Sequence, residues 1–205
     1  MKLCELETAV LEHGGEFLCE RIHNENETKF VRFTHSVDPP GGHADLPAVG
    51  RLGDFYETFG SILFYHDDKS GDAGKYIAHP SQWEDLHGAF SAWIEDLAQE
   101  ERDECVPAWV RTCLVIGETP QSGNYILVPI EGPEVGHVFE FDHDGFEFKD
   151  EAEDVVEYVK KLLKPDSSTL SKIASHMRFI EGDPMVQWWI RELRDNEGHI
   201  VRTNA

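Results

Sequence analysis

Basic residues are scarce in this chain: 18 Lys and Arg stand against 40 Asp and Glu in 205 residues, a formal net charge of −22. That deficit argues against a direct grip on a phosphate backbone or an anionic lipid surface, because the mean field of the protein repels both. It points to cationic partners, or to an acidic surface kept for solubility. Membrane-spanning apolar stretches are also missing, since none approaches the roughly 20 residues that cross a bilayer. The segment Met1–Glu7 carries acids where a signal peptide carries a basic start and an apolar stretch, so the expectation is a soluble, cytoplasmic protein. Cysteine is sparse, at positions 4, 19, 105 and 113, and no CxxC occurs, which removes zinc knuckles and thioredoxin-type pairs. Reduced thiols are expected, with Cys113 buried in a strand.

The chemical signatures of enzymes are missing as well. Eleven histidines include no H-E-x-x-H and no His-x-His. His66-Asp67-Asp68 and Asp142-His143-Asp144 lie where turn chemistry already accounts for them, so no metal site and no cofactor are expected. There is no phosphate-cradling G-x-x-x-x-G-K-[ST] and no G-x-S-x-G nucleophile elbow. Carboxylates are too abundant for any one pair to stand out. A Cys/His pair stays open, because such partners meet in space rather than along the chain.

What is present is a globular composition, 40% hydrophobic and 28% charged, long enough for one full core plus an appendage. Leu3, Leu6, Val10 and Leu11 share a helical face that Gly14-Gly15 ends. Phe30–Phe33 reads as strand, and Asp38-Pro39-Pro40-Gly41-Gly42 as a loop or linker. A short helix through Leu52, Phe55, Tyr56 and Phe59 precedes a strand at Ile62–Tyr65 and a polar loop at 66–72. Ser81 and Glu84 fit a capping box. Behind them Trp83, Leu86, Phe90, Trp93, Ile94 and Leu97 form an apolar stripe expected to face the core. That helix runs into Glu100-Glu101-Arg102-Asp103-Glu104, acids that oppose the dipole at its C-terminus.

Residues 109–148 read as a β-meander, with Val138–Phe141 and Phe146–Phe148 alternating apolar and acidic as a half-buried hairpin does. Gly145 is free to take positive φ in the turn between them. A helix opened by Asp150 or Glu153 buries Val155, Val156, Val159, Leu162 and Leu163 and stops at Pro165. Two further helical patterns follow, Leu170–Met177 and Val186–Leu193, with Asp183-Pro184 capping the second. Trp188 and Trp189 on that last helix imply packing into the core or a dimer contact.

Two stretches carry a family resemblance: 116–130 (IGETPQSGNYILVPI) and 136–145 (GHVFEFDHDG). A strand ends in Ile116-Gly117, Gly123-Asn124 opens the next, and a third strand carries Val138-Phe139. These features resemble the SMI1/KNR4 superfamily, also called SUKH. The helix at 150–164 is similar to the one that closes such domains. Leu46-Pro47, Phe55-Tyr56 and Phe59-Gly60-Ser61 resemble the family's opening, with Phe59 where Asn is usual.

The resemblance implies an α+β fold, an antiparallel-rich sheet with helices packed against it, here followed by C-terminal helices. It divides the chain into an extension at 1–44, the SMI1/KNR4-like domain at 45–164 and a helical extension at 165–205. It also implies binding rather than catalysis. Many bacterial members look like immunity proteins that neutralise toxins, often nucleases, and eukaryotic relatives act as regulatory or scaffolding subunits. A basic toxin domain suits a chain this acidic. The residues expected to meet it are Asp67, Asp68 and Asp72 on one loop and Glu100, Glu101, Asp103 and Glu104 on another. A scaffold without a toxin is the alternative, and a hydrolase with a divergent site is the third reading, to be recognised by a deep pocket with a buried histidine.

Overall fold

A computed structural model describes residues 3–42 and 46–204, with Glu25 by its backbone alone. The chain runs α1 (Leu3–Glu12), β1 (Gly15–Arg21), β2 (Asn24–Asp38), α2 (Leu52–Tyr56), β3 (Ser61–His66), β4 (Lys75–Ile77), α3 (Trp83–Glu95) and α4 (Gln99–Cys105). It continues through β5 (Cys113–Thr119), β6 (Asn124–Pro129), β7 (Val138–Asp142), β8 (Glu147–Ala152), α5 (Val155–Leu163), α6 (Ser167–Ala174), β9 (Trp188–Asp195) and β10 (Ile200–Arg202). All ten strands join one antiparallel sheet in the order β10-β9-β1-β2-β3-β4-β5-β6-β7-β8. The class is the expected one: α+β, an antiparallel sheet with helices packed against it.

The period of two along β5–β7 explains why this part of the sheet is covered on both faces. Ile116, Ile126, Val128 and Val138 point into the main core with α1, α2, α5 and α6. Val115, Leu127, Phe139 and Phe141 point the other way, into a smaller core closed by Phe90 of α3. Helix α5 is held onto the main core by Val155, Val156, Val159, Leu162 and Leu163, all buried, each contributing about 2 kcal/mol of burial. Its N-cap is Asp154, which accepts from Glu157 N–H at 2.9 Å, because β8 runs on to Ala152 and occupies Asp150. Asp166 caps α6 in the same way through Thr169 N–H at 2.8 Å.

Several sequence expectations are corrected by this arrangement. The pattern at Val186–Leu193 is not a helix but strand β9, paired with β1 and β10. Leu18 pairs with Glu192 and Cys19 with Ile190, leaving Arg191 as a bulge. The bulge advances the strand's phase by one, so Ile190 and Leu193 both face the core and mimic helical spacing. Trp188 therefore packs inward at 7% exposure while Trp189 faces out at 39%. Asp183-Pro184 opens a turn, with Asp183 accepting from Met185 N–H at 2.9 Å.

Helix α3 ends at Glu95, and α4 starts afresh after Leu97-Ala98. Glu100 and Glu101 thus sit in a first turn, where the dipole favours them. Glu101 Oε2 also accepts from Ala98 N–H at 3.2 Å. Ser81 and Glu84 make no capping box: a 3-10 turn, Pro80–Gln82, intervenes, and Gln82 Oε1 takes the His79 N–H at 3.3 Å. Of the α3 stripe only Phe90 is fully buried, and Trp93 is 37% exposed beside His143. In the β7–β8 turn it is Phe146, at φ 49°, that takes the left-handed conformation rather than Gly145.

The segments 1–44 and 165–205 meet through the β1–β9 pairing and share the main core with the middle of the chain. The boundary at 44/45 lies outside the described residues.

Candidate functional site

The seven acids singled out from the sequence divide by their surroundings. Asp67 is only 4% exposed and accepts from Ser70 N–H at 3.0 Å and Ser70 Oγ–H at 2.7 Å, closing its own turn. Asp72 Oδ2 accepts two backbone N–H groups, Arg178 at 2.8 Å and Phe179 at 2.5 Å. It pins the loop after α6 to the sheet. These two carboxylates are turned into the fold, and of that loop's three candidates Asp68 alone stands out in solvent, 3.2 Å from His66 Nδ1.

The other four lie together. Glu100, Glu101, Asp103 and Glu104 are all exposed on α4, and Glu84, Asp85 and Glu95 are exposed on α3 with Asp96 at its C-cap. Among residues 83–105 the only Lys or Arg is Arg102, whose guanidinium donates to the Glu95 and Leu97 carbonyl oxygens at 3.1 and 3.2 Å. Between the two helices runs a groove of about 580 Å³, lined by Phe90, Ile94, Val106 and Val110 together with Glu95, Asp103, Arg102 and Arg111. The turn at Leu97-Ala98, which interrupts the expected single helix, creates this groove.

A second cleft, of about 570 Å³, opens between α6 and the β7–β8 hairpin and is lined by Lys75, Glu140, Lys149, Lys172 and Arg178 among others. Lys75 is 3% exposed; its Nζ donates to Thr119 Oγ1 at 2.8 Å and lies 3.0 Å from Glu140 Oε1. Glu140 also accepts from Tyr158 Oη–H at 2.7 Å and from Lys172 Nζ at 3.1 Å. Burial alone would raise the Glu140 carboxyl, but Lys75, Lys172 and the Tyr158 hydroxyl reverse this and hold it at about 2. Glu151 binds Lys172 at 2.5 Å, Lys149 at 3.3 Å and Lys161. In the sequence, Glu140 between Phe139 and Phe141 reads as the solvent side of a hairpin. It is the α5–α6 layer that meets that side, and only the tertiary fold brings Lys75 and Lys172 to it.

Two buried histidines form a third constellation. Tyr65 N–H donates to His35 Nδ1 at 3.0 Å, so the His35 proton sits on Nε2 and is donated to His13 Nδ1 at 2.8 Å. The His13 proton then sits on Nε2, 3.6 Å from Asp195 Oδ2. Burial pushes His35 down to about 3, with His13 adding to the effect. Burial also lowers His13, against the pull of Asp195. The pair stacks among Phe33, Phe64 and Tyr65 in the main core.

The four cysteines are free, Cys19 and Cys113 buried and Cys4 and Cys105 exposed. Cys113 lies in β5 with Sγ 3.2 Å from the Val110 carbonyl oxygen. Two groups of side chains have cation-ligand spacing, Asp142-His143-Asp144 and Asp195-Glu197-His199. Both are hairpin turns in which the aspartates accept local backbone N–H groups. Among the described residues no helix is long and apolar enough to cross a membrane. No family model, no curated protein and no solved structure matches the chain.

Proposed function

We propose that this chain is a non-enzymatic protein-binding domain of the SMI1/KNR4 type, an immunity protein that neutralises a basic toxin domain in the cytoplasm. The observation that carries the reading is the α3–α4 face, where eight exposed carboxylates lie on the segments that border a groove walled in part by apolar side chains. Glu95 and Asp103 line that groove with Arg111 and with Arg102, which is turned onto backbone carbonyls. Such a face attracts a cationic protein from a distance and offers apolar contact on arrival. Asp68, Glu100, Glu101, Asp103 and Glu104 are the contacts expected from the original seven; Asp67 and Asp72 act by shaping their loop. The four free thiols suit a reducing compartment.

Charge complementarity acts mainly on association rate and on exclusion of wrong partners. An inhibitor that must reach a nuclease before its substrate does benefits from both. Co-expression with the product of each neighbouring gene tests the proposal: rescue from a toxic neighbour, with a complex that weakens as salt rises, supports it. Neighbours that are harmless and do not bind at low salt contradict it and favour the scaffold alternative.

A further inference from the structure

We propose that the outer face of strands β10, β9, β1 and β2 joins this chain to a second copy of itself, sheet against sheet about a two-fold axis. The strand registers fix which side chains stand there. Phe17, Phe33 and Leu193 enter the main core, so their neighbours along each strand point the other way. Arg194, Glu16 and Arg32 form one row across β9, β1 and β2, and Glu192, Leu18 and Phe30 form the next. Ile200 and Arg202 of β10 extend the two rows, and Trp189 lies beyond them beside Glu20. Phe30 and Ile200 are 53 and 61% exposed, and Trp189 is exposed as well.

Charge selects the occupant. The chain as a whole carries −22, so over most of its surface two copies repel each other. On this face the arginines 32, 191, 194 and 202 offset the glutamates 16, 20 and 192, and that repulsion is absent. Arg191 donates twice to Glu20, at 3.2 and 2.9 Å. Glu192 accepts from Arg194 at 2.5 Å and from Arg202 at 2.9 Å, and the Arg194 guanidinium lies 5.2 Å from the centre of the Phe30 ring. Side chains held in this way lose little freedom on association. Arg32 and Glu16 are the exception: they stand opposite each other in the β1–β2 register yet form no ion pair among the described residues. An arginine and a glutamate both left without an ion-pair partner make the face complementary to itself.

The sheet order places the axis. On this side of the sheet α3 closes the β5–β7 part. The six strands before it, β10 to β4, are centred on the line between β1 and β2. A two-fold axis along that line sets Arg32 of one copy against Glu16 of the other, twice, and Leu18 against Phe30. It also seats α3 of each copy beyond the β10 edge of the other, so the two sheets meet at the usual spacing of about 10 Å. Aromatic side chains and arginine are the groups that protein interfaces favour at their centres.

The test is sedimentation of the full chain at physiological ionic strength, where repulsion between the acidic surfaces is screened beyond about 8 Å. The expected result is a monomer–dimer equilibrium in the micromolar range. Phe30→Ser and Arg32→Glu should each weaken it at least tenfold. Both side chains are exposed, and thermal unfolding of each variant checks that the monomer is intact. Combining Glu16→Arg with Arg32→Glu restores opposite charges across the axis and should return the dimer. A chain still monomeric at about 1 mM, or a dimer that both single variants leave unchanged, would overturn the assignment. So would a double variant no more associated than Arg32→Glu alone, and so would a monomer that binds poly-glutamate through this face, because its partner is then an acidic protein.

Discussion

His35 Nε2 donates to His13 Nδ1 across 2.8 Å, and the Tyr65 backbone N–H fixes the direction of that bond from behind. Neither ring can gain a proton in the folded chain without breaking the sequence of donors. His35 is held down to about 3, below its ordinary value, chiefly by burial. The unfolded chain therefore takes up a proton at this residue that the folded chain refuses. Stability is full above pH 6.5 and falls as pH drops toward 3. At pH 5 the loss from one such histidine is about 2 kcal/mol relative to pH 7. Urea unfolding between pH 5 and 7 should show this slope, and His35→Gln should flatten it by close to one proton. An unchanged slope in that variant would remove the histidine pair from the account.

Asp72 is predicted to be structural. Asp72→Ala leaves the Arg178 and Phe179 N–H groups without their acceptor and should cost about 2–3 kcal/mol in chemical unfolding. Asp68→Ala, at an exposed side chain of the same loop, should stay within about 0.5 kcal/mol. Equal effects of the two would contradict the division of this loop into inner and outer acids.

How far the molecule could be read in advance depends on whether a residue's role is set locally. The β5–β8 meander, α5 and α6 are written in apolar alternation and helical spacing, with Asp154 or Asp166 at the start of each helix. Strand β9 is not, since its bulge at Arg191 gives a strand the spacing of a helix. The break between α3 and α4 is hidden too: Leu97-Ala98 holds neither proline nor glycine, and Arg102 completes the turn by donating to the Leu97 carbonyl oxygen five residues back. The four acids of α4 are exposed, but acid density cannot separate Asp68 from Asp67 and Asp72. Their difference is made by partners such as Phe179, far along the chain.

The Lys75–Glu140 pair should behave as a buried charge pair does. Glu140→Leu strands a lysine that is 3% exposed and should cost about 3–5 kcal/mol. Adding Lys75→Met to that variant should restore most of the loss. A double variant as unstable as the single one would show that Glu140 acts through Tyr158 and Lys172 instead.

Thiol reactivity should split evenly. Burial pushes the Cys19 and Cys113 thiols up to about 12, whereas Cys4 and Cys105 are exposed. Under native conditions mass spectrometry should find alkylation at Cys4 and Cys105 within minutes and at the other two only after denaturation.

The proposal that the chain captures a basic protein rests on where its acids lie rather than on how many there are. The direct measurement compares two charge-reversed proteins in association kinetics and toxin rescue with the neighbouring gene product. One carries lysine at Glu100, Glu101, Asp103 and Glu104; the other carries it at the exposed Glu12, Glu57, Glu131 and Glu153. Both change net charge equally. The α4 reversal should abolish rescue and slow association at least tenfold, while the scattered reversal keeps rescue. Equal loss in both, or rescue by the α4 reversal, would contradict the proposal.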